Sequence, residues 1–338
     1  MTRLLRIVCA AALVGVGLLA IPHADATSTP STWSKGSYTN AAGTRTYYVH
    51  TPPNARAGLP LVVDLHGCTE VVADEVRRSH FNDVADKLGF IVAYPEQSAA
   101  ANGSLCWNWF LPEHLHRGAG EPSLIAGITT TVARKWKTDP RRTYVFGISA
   151  GGAMANIMAV TYPDLYAAAG LYAACEYDGL PCLGAPPARP WQVSAQEAFT
   201  EMGPRARVIP IFVVQGSADA AVPAANSVYV VQQYLTQNRL VAGQRALVQP
   251  VFADHVHRAK KPAPNGQHYT VRQWHDARGR LVVEHWLIHG MGHQWSNAQY
   301  SGDVQTDTDN NDLILNDPNG PDVTTPIAQF LLAHPRTS

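Results

Sequence analysis

TYVFGISAGGAMANIM, from Thr143 to Met158, decides how the rest of the chain is read. Tyr144, Val145 and Phe146 form a short apolar run with the character of a buried strand, and Ala153, Met154, Ile157 and Met158 recur at helical spacing. Between them Gly147-Ile148-Ser149-Ala150-Gly151 fits G-x-S-x-G. Strand, sharp turn and helix around a serine make the context of a nucleophile elbow. Such a turn holds the serine in a strained backbone conformation, which only small neighbours tolerate; Gly147, Ala150, Gly151 and Gly152 supply them. The strain lifts the Ser149 hydroxyl clear of the sheet at the positive end of a helix. The plainer alternative is a glycine-rich turn with an ordinary serine, so the flanking chain has to arbitrate.

Outward from the elbow, apolar runs alternate with helical patterns. Leu61–Leu65 (LVVDL) reads as a central strand buried on both faces, before His66-Gly67-Cys68. Phe81, Val84, Ala85 and Leu88 lie on one helical face closed by Gly89. Phe90–Tyr94 is the next strand, ended by Pro95, and Pro122 opens a helix to about Lys137. Tyr166–Ala173 and Val208–Val214 read as strands, with a helix from Val222-Pro223 to about Asn238. Tyr269–Trp274 and Leu281–Ile288 flank a turn as a strand pair, and Thr325–Ala333 is a closing helix. Thr44–His50 is an edge strand, and Cys175–Arg207 is an excursion over the sheet. The alternation predicts an α/β fold: a mostly parallel sheet with helices on both faces. One domain is expected over 34–336, after an N-terminal tail at 27–33.

The first residues read as an export signal. Arg3 and Arg6 precede an apolar run from Ile7 to Ala20, and Ala24-Asp25-Ala26 is a cleavage site, so residues 1–26 are a secretory signal peptide. An uncleaved membrane anchor is disfavoured because the run is short for a span. The mature protein is expected to be extracellular, with no membrane anchor. The 338 residues carry 26 basic and 26 acidic side chains, a formal net charge of +0, which gives no electrostatic case for nucleic acid. Export leaves Cys68, Cys106, Cys175 and Cys182 in an oxidising compartment. Cys175 and Cys182 close a short loop and are paired with each other, leaving Cys68 with Cys106. Clustered Cys/His spacing for a metal is missing. Asp307, Asp309 and Asn311 begin like a calcium loop, but Asp312 and Pro318 stand where glycine and a bidentate glutamate are required. Neither metal nor cofactor is expected.

A serine hydroxyl needs a base within hydrogen-bond reach, and the base needs an acid to orient it. On this fold the three follow in the order Ser, Asp/Glu, His, each on a loop beyond the carboxyl end of a strand. Asp219 follows Val208–Val214, and His293 follows Leu281–Ile288 in His289-Gly290-Met291-Gly292-His293. Each has a plain alternative: Asp219 as a helix cap, His293 as one of 14 histidines with His289 competing for its role. The order Ser149, Asp219, His293 favours the catalytic assignment. The oxyanion of the tetrahedral intermediate needs two donors, expected from the amides of Ala150 and Cys68. A Cys68–Cys106 bridge then pins the oxyanion loop to the aromatic stretch Cys106–Phe110. Trp107 and Trp295 are expected to line an apolar acyl groove, and Trp109 serves equally well as core.

LHGC at Leu65–Cys68, YPEQ at Tyr94–Gln97, CWNWF at Cys106–Phe110, GISAGGAMA at Gly147–Ala155, QGSAD at Gln215–Asp219 and GMGHQW at Gly290–Trp295 resemble the extracellular poly(3-hydroxybutyrate) depolymerase family of esterases. That family also includes feruloyl and acetylxylan esterases. The resemblance covers nearly all the mature chain. It implies an α/β-hydrolase fold, the triad Ser149, Asp219 and His293, and the oxyanion role of Cys68. The implied activity is hydrolysis of polyhydroxybutyrate or short polyhydroxyalkanoate, with feruloyl or acetylxylan ester hydrolysis as the alternative. An acyltransferase with the same triad and a non-catalytic binding module are the remaining classes. Relatives that degrade crystalline polymer usually carry a separate polymer-binding domain, whereas this chain ends soon after its closing helix. Gln294-Trp295-Ser296-Asn297 also replaces a more glycine-rich segment. Both count against insoluble polymer as substrate. The expected partner is an ester substrate, met by a monomer.

Overall fold

A computed structural model describes residues 29–247, 249–260, 266–296 and 316–337. The expected signal peptide and the calcium-like stretch from Asp307 to Asp312 lie outside the described residues. In chain order the elements are β1 (Thr32–Asn40), β2 (Gly43–Thr51), β3 (Leu61–Leu65), α1 (Val72–Ser79), α2 (Phe81–Leu88), β4 (Ile91–Glu96) and α3 (Gly120–Trp136). There follow β5 (Thr143–Ile148), α4 (Ala150–Thr161), β6 (Ala169–Tyr172), α5 (Trp191–Met202), β7 (Ile211–Gly216) and α6 (Ala225–Val241). β8 (His255–Lys260), β9 (His268–His275), β10 (Leu281–Ile288) and α7 (Thr324–Ala333) complete the fold.

One ten-stranded sheet runs in the order β1-β2-β4-β3-β5-β6-β7-β10-β9-β8. The stretch from β4 to β10 is parallel throughout. β1 and β2 extend one edge and β9 and β8 the other, all antiparallel. The parallel strands need cover on both faces, and every residue of β3, β5 and β7 is buried. Alternation along β5 sends neighbouring residues to opposite layers. Phe146 stacks on Phe81 of α2 at 5.5 Å between ring centroids, and Phe212 of β7 meets Phe330 of α7 at 5.5 Å on the same face. Gly147 turns the other way, against the backbone of α4. α4 itself is buried along its whole length, which fits its apolar, small-residue sequence AGGAMANIMAVT.

The edges correct the sequence reading. Thr44–His50 is no edge strand; β2 is covered by β1, which begins at Thr32 inside the expected tail and pairs along its length with β2. The ordered domain therefore starts before residue 34. Pro95 does not end its strand: β4 runs to Glu96, with Pro95 opposite Tyr47 in the antiparallel ladder. α1, α5 and β8 are separate elements with no clear counterpart in the periodicity of the sequence.

Candidate active site

The carboxyl ends of β5, β7 and β10 bring Ser149, Asp219 and His293 together at one rim of the sheet. Ser149 is the cap residue of α4 with φ +56° and ψ −123°, the strained turn expected of an elbow serine. Gly151 makes this turn possible, because a Cβ there would collide with the carbonyl oxygens of Leu65 and His66. That contact also lays the loop after β3 directly against the elbow. The Ser149 amide donates to the Tyr172 carbonyl at 2.9 Å, and its carbonyl accepts from the Ala153 amide at 2.9 Å, fixing the turn from both sides.

The side chains form a relay. Ser149 Oγ lies 3.0 Å from His293 Nε2, and His293 Nδ1 lies 2.8 Å from Asp219 Oδ2. A carboxylate only accepts, so Nδ1 carries the proton and Nε2 is left to accept from the serine hydroxyl. Asp219 is held in turn. Its Oδ1 accepts from the Val222 amide at 2.8 Å, and its Oδ2 accepts from Gln215 Nε2 at 3.0 Å. Gln215 also donates to the Val222 carbonyl at 3.0 Å. The acid and histidine loops are stitched together: Ser217 and Ala218 amides donate to Ile288 and Met291 carbonyls at 2.9 Å each, and the Gly290 amide donates to Ser217 Oγ at 2.9 Å. His289 stands outside the relay, exposed and within 2.8 Å of Thr270 Oγ1.

The loop after β3, which carries Cys68, is anchored by charges that no sequence motif marks. Glu70 accepts from the Gly67 amide at 2.9 Å and from Arg78 Nη2 at 2.8 Å. Arg78 also pairs with Glu75. All three side chains are buried. His66 donates from Nδ1 to the Gly67 carbonyl at 2.7 Å and accepts the Gln97 amide on Nε2 at 3.0 Å. Burial pushes its pKa down to about 4, so the ring is neutral and keeps both bonds. Cys68 is bonded to Cys106, and Cys175 to Cys182, the pairing expected from their spacing. Neither the Cys68 nor the Ala150 amide donates to a backbone carbonyl among the described residues. Beyond Cys106, the buried Glu121 carboxylate accepts from the Asn108 amide at 2.7 Å, from Asn108 Nδ2 at 2.9 Å and from Arg45 at 3.0 Å.

Trp107 and Trp295 do not line a groove. Both are 0% exposed. Trp295 stacks on Tyr172 at 4.9 Å and meets Phe146 edge-on, while Trp107 packs 5.6 Å from the His66 ring. Their rings bury area against His66, Phe146 and Tyr172, next to the loops that carry Cys68 and His293. Tyr172 completes that support: its hydroxyl donates to the Gln294 carbonyl at 2.7 Å and accepts from the Ser296 amide at 2.9 Å, bracketing Trp295. Away from this rim, Asp254, His255 and His275 bring metal-capable atoms within 4.8 Å of one another, with each histidine Nδ1 2.9 Å from Asp254 Oδ1.

Residues 45–249 match the family described as Esterase PHB depolymerase. The chain belongs to this family. It is 30% identical over 291 residues to poly(3-hydroxyalkanoate) depolymerase C of Paucimonas lemoignei, covering 82% of this chain and 65% of that relative's length. Feruloyl esterase B of Neurospora crassa is 36% identical over 127 residues, 37% of this chain and 42% of the relative. Acetylxylan esterase A of Talaromyces purpureogenus is 34% identical over 134 residues, 39% and 34% of the two chains. Among solved structures, an acetyl xylan esterase from Aspergillus awamori superposes with a TM-score of 0.63 at 24% identity, over 77% of this chain and 94% of that one. The fold of this family member is therefore the α/β-hydrolase fold. No helix among its described residues is long and apolar enough to cross a membrane.

Proposed function

We propose that the protein is a secreted, cofactor-free serine esterase that hydrolyses carboxylic esters through an acyl-enzyme. The reading rests above all on the relay of 3.0 Å and 2.8 Å from an elbow serine through His293 to Asp219. Ser149 Oγ attacks the ester carbonyl as its proton passes to His293 Nε2. Asp219 holds the Nδ1–H tautomer and stabilises the imidazolium. The Cys68 and Ala150 amides receive the oxyanion, each well-placed donor lowering the barrier by about 3–4 kcal/mol. His293 returns the proton to the leaving alcohol. Water then repeats the sequence on the acyl-serine and frees the acid.

Hydroxybutyrate esters, as polyester or its oligomers, are the substrate class this reading favours. The support is the relative named as a polyhydroxyalkanoate depolymerase, whose match spans most of this chain. Feruloyl or acetyl esters of plant polysaccharide are the second reading, supported by the shorter matches to relatives so named. Export is supported by two disulfides within the fold. A panel of nitrophenyl butyrate, hydroxybutyrate oligomers, polymer film, acetylated xylan and methyl ferulate separates the substrate classes. Hydroxybutyrate oligomers are expected to give the highest kcat/KM, and Ser149→Ala is expected to lower kcat about 10⁴-fold or more on every active ester. Activity confined to ferulate or acetylxylan would transfer the assignment to the second reading. Inactivity on all esters would overturn both.

A further inference from the structure

A cavity of about 420 Å³ lies between α6 and the β8–β9–β10 end of the sheet. Val228 and Val231 of α6 form one wall, Trp274 of β9 and Leu287 of β10 the floor, and Val251 and Ala253 a strap across it. The strap is fixed. Gln232 Nε2 donates to the Val251 carbonyl at 3.0 Å, the Val251 amide donates to Gln232 Oε1 at 2.9 Å, and Trp274 Nε1 donates to the same carbonyl at 3.0 Å.

Two ionisable side chains stand in this largely apolar lining. Arg272 and His285 stand directly opposite each other in the β9–β10 ladder, so their side chains share one face. His285 is 2% exposed, lines the cavity, and its Nε2 has no hydrogen-bond partner among the described residues. Arg272 forms no ion pair among the described residues, although Arg258 of β8 lies diagonally beside it on that face. Burial and the Arg258 charge both press its guanidinium below its ordinary pKa. A half-buried cation, a second cation beside it and an unpaired buried imidazole are costly unless an anion satisfies them. Of the other polar lining residues, Ser227 donates to the Ala224 carbonyl at 2.8 Å and Gln232 is held by the strap; what remains of the lining is apolar.

We propose that this cavity binds a short-chain alkyl monocarboxylate, its carboxylate on Arg272 and His285 and its chain against Val228, Val231 and Trp274. Ester hydrolysis of aliphatic acyl groups releases this class of molecule, but binding here does not depend on Ser149 chemistry.

The test is calorimetric titration of the full chain carrying Ser149→Ala with hexanoate, hexanol and hexylamine. Saturable hexanoate binding is expected, at least tenfold tighter than either of the others. Arg272→Met is expected to abolish the preference for hexanoate. Val228→Trp, which narrows the mouth from a half-exposed position, is expected to weaken hexanoate at least tenfold. Far-ultraviolet melting of each variant verifies that it is folded. Equal binding of hexanol and hexanoate, no hexanoate binding, or hexanoate binding untouched by both folded variants would each overturn the proposal. A result in which Ser149→Ala abolishes ester hydrolysis while hexanoate fails to bind would leave the esterase reading intact and remove only this site.

Discussion

Gln215 donates to Asp219 Oδ2 from inside the core, and no chemistry in its own side chain takes part in the reaction. Its expected contribution is orientation: a hydrogen bond to a charged acceptor contributes about 1.5–3 kcal/mol. Gln215→Leu is therefore expected to lower kcat about tenfold to a hundredfold while leaving KM near its original value. Steady-state kinetics on nitrophenyl butyrate read this directly. Asp64 is a second residue with a sharp expectation. It lies fully buried in β3, neither carboxylate oxygen has a hydrogen-bond partner among the described residues, and burial raises its pKa well above the ordinary carboxylate range. A raised folded-state pKa means its favourable contribution is complete below about pH 4, its unfolded value, and is lost as pH rises. Asp64→Asn should therefore stabilise the protein increasingly from pH 4 to pH 8. Urea titrations at both ends measure it, and an equal shift in midpoint at both would contradict the account. The meeting of Ser149, Asp219 and His293 is legible in the sequence because the triad chemistry proposed for them constrains residue type and order. Gln215, Glu70 and Arg78 are not, because positioning through a hydrogen bond leaves no pattern of types along the chain. Trp107 and Trp295 mislead, because an aromatic near a site serves a groove or a core equally well in sequence alone.

The strands that read clearly are those whose every residue is buried, such as β3 and β7, since a short, continuous apolar run fits a strand covered on both faces better than any amphipathic element. α1 hides its helical face: its sequence is VADEVRRS, and the buried positions include Glu75 and Arg78. Hydrophobic periodicity is silent where charge is buried against charge. β8 (HVHRAK) and β1 (TWSKGSYTN) are edge strands, where solvent on one side weakens the alternation. At this scale the loop after β3, proposed to hold the oxyanion, is the element that matters most. It is tied by the Cys68–Cys106 disulfide across a separation of 38 residues, so Cys106→Ser should cost about 2–4 kcal/mol of stability. The variant should also lose kcat by more than it gains in KM, because the freed loop presents the Cys68 amide less well. Paired thermal melts and kinetics test both. Unchanged kcat in a destabilised variant would restrict the bridge to a structural role.

Across the whole molecule, buried titratable groups pull stability in two directions. Burial lowers His66 to about 4 and His285 to about 3, so their contribution is complete above about pH 6.5 and is lost as pH falls through the lowered values. Burial raises Glu176 to about 7 and drives Glu75 upward with Asp64, so these contributions are complete below about pH 4 and are lost as pH rises. Burial also pushes Asp254 up, but hydrogen bonds from His275 and His255 outweigh it and hold it at about 2, a contribution lost only in strong acid. The balance predicts a stability maximum on the acid side of neutrality, between about pH 4 and 6.5, read by melting temperature from pH 3 to 9. A melting temperature rising steadily to pH 8 would contradict it. The same sheet that buries these groups brings the ends of β5, β7 and β10 to one rim, where the proposed nucleophile Ser149 meets His293. The most direct test of that claim is mass spectrometry of the native chain after brief reaction with a fluorophosphonate, with the labelled peptide sequenced. A single phosphonate on Ser149, absent from Ser149→Ala, is the predicted result. A label on any other residue, or none while ester hydrolysis proceeds, would contradict it.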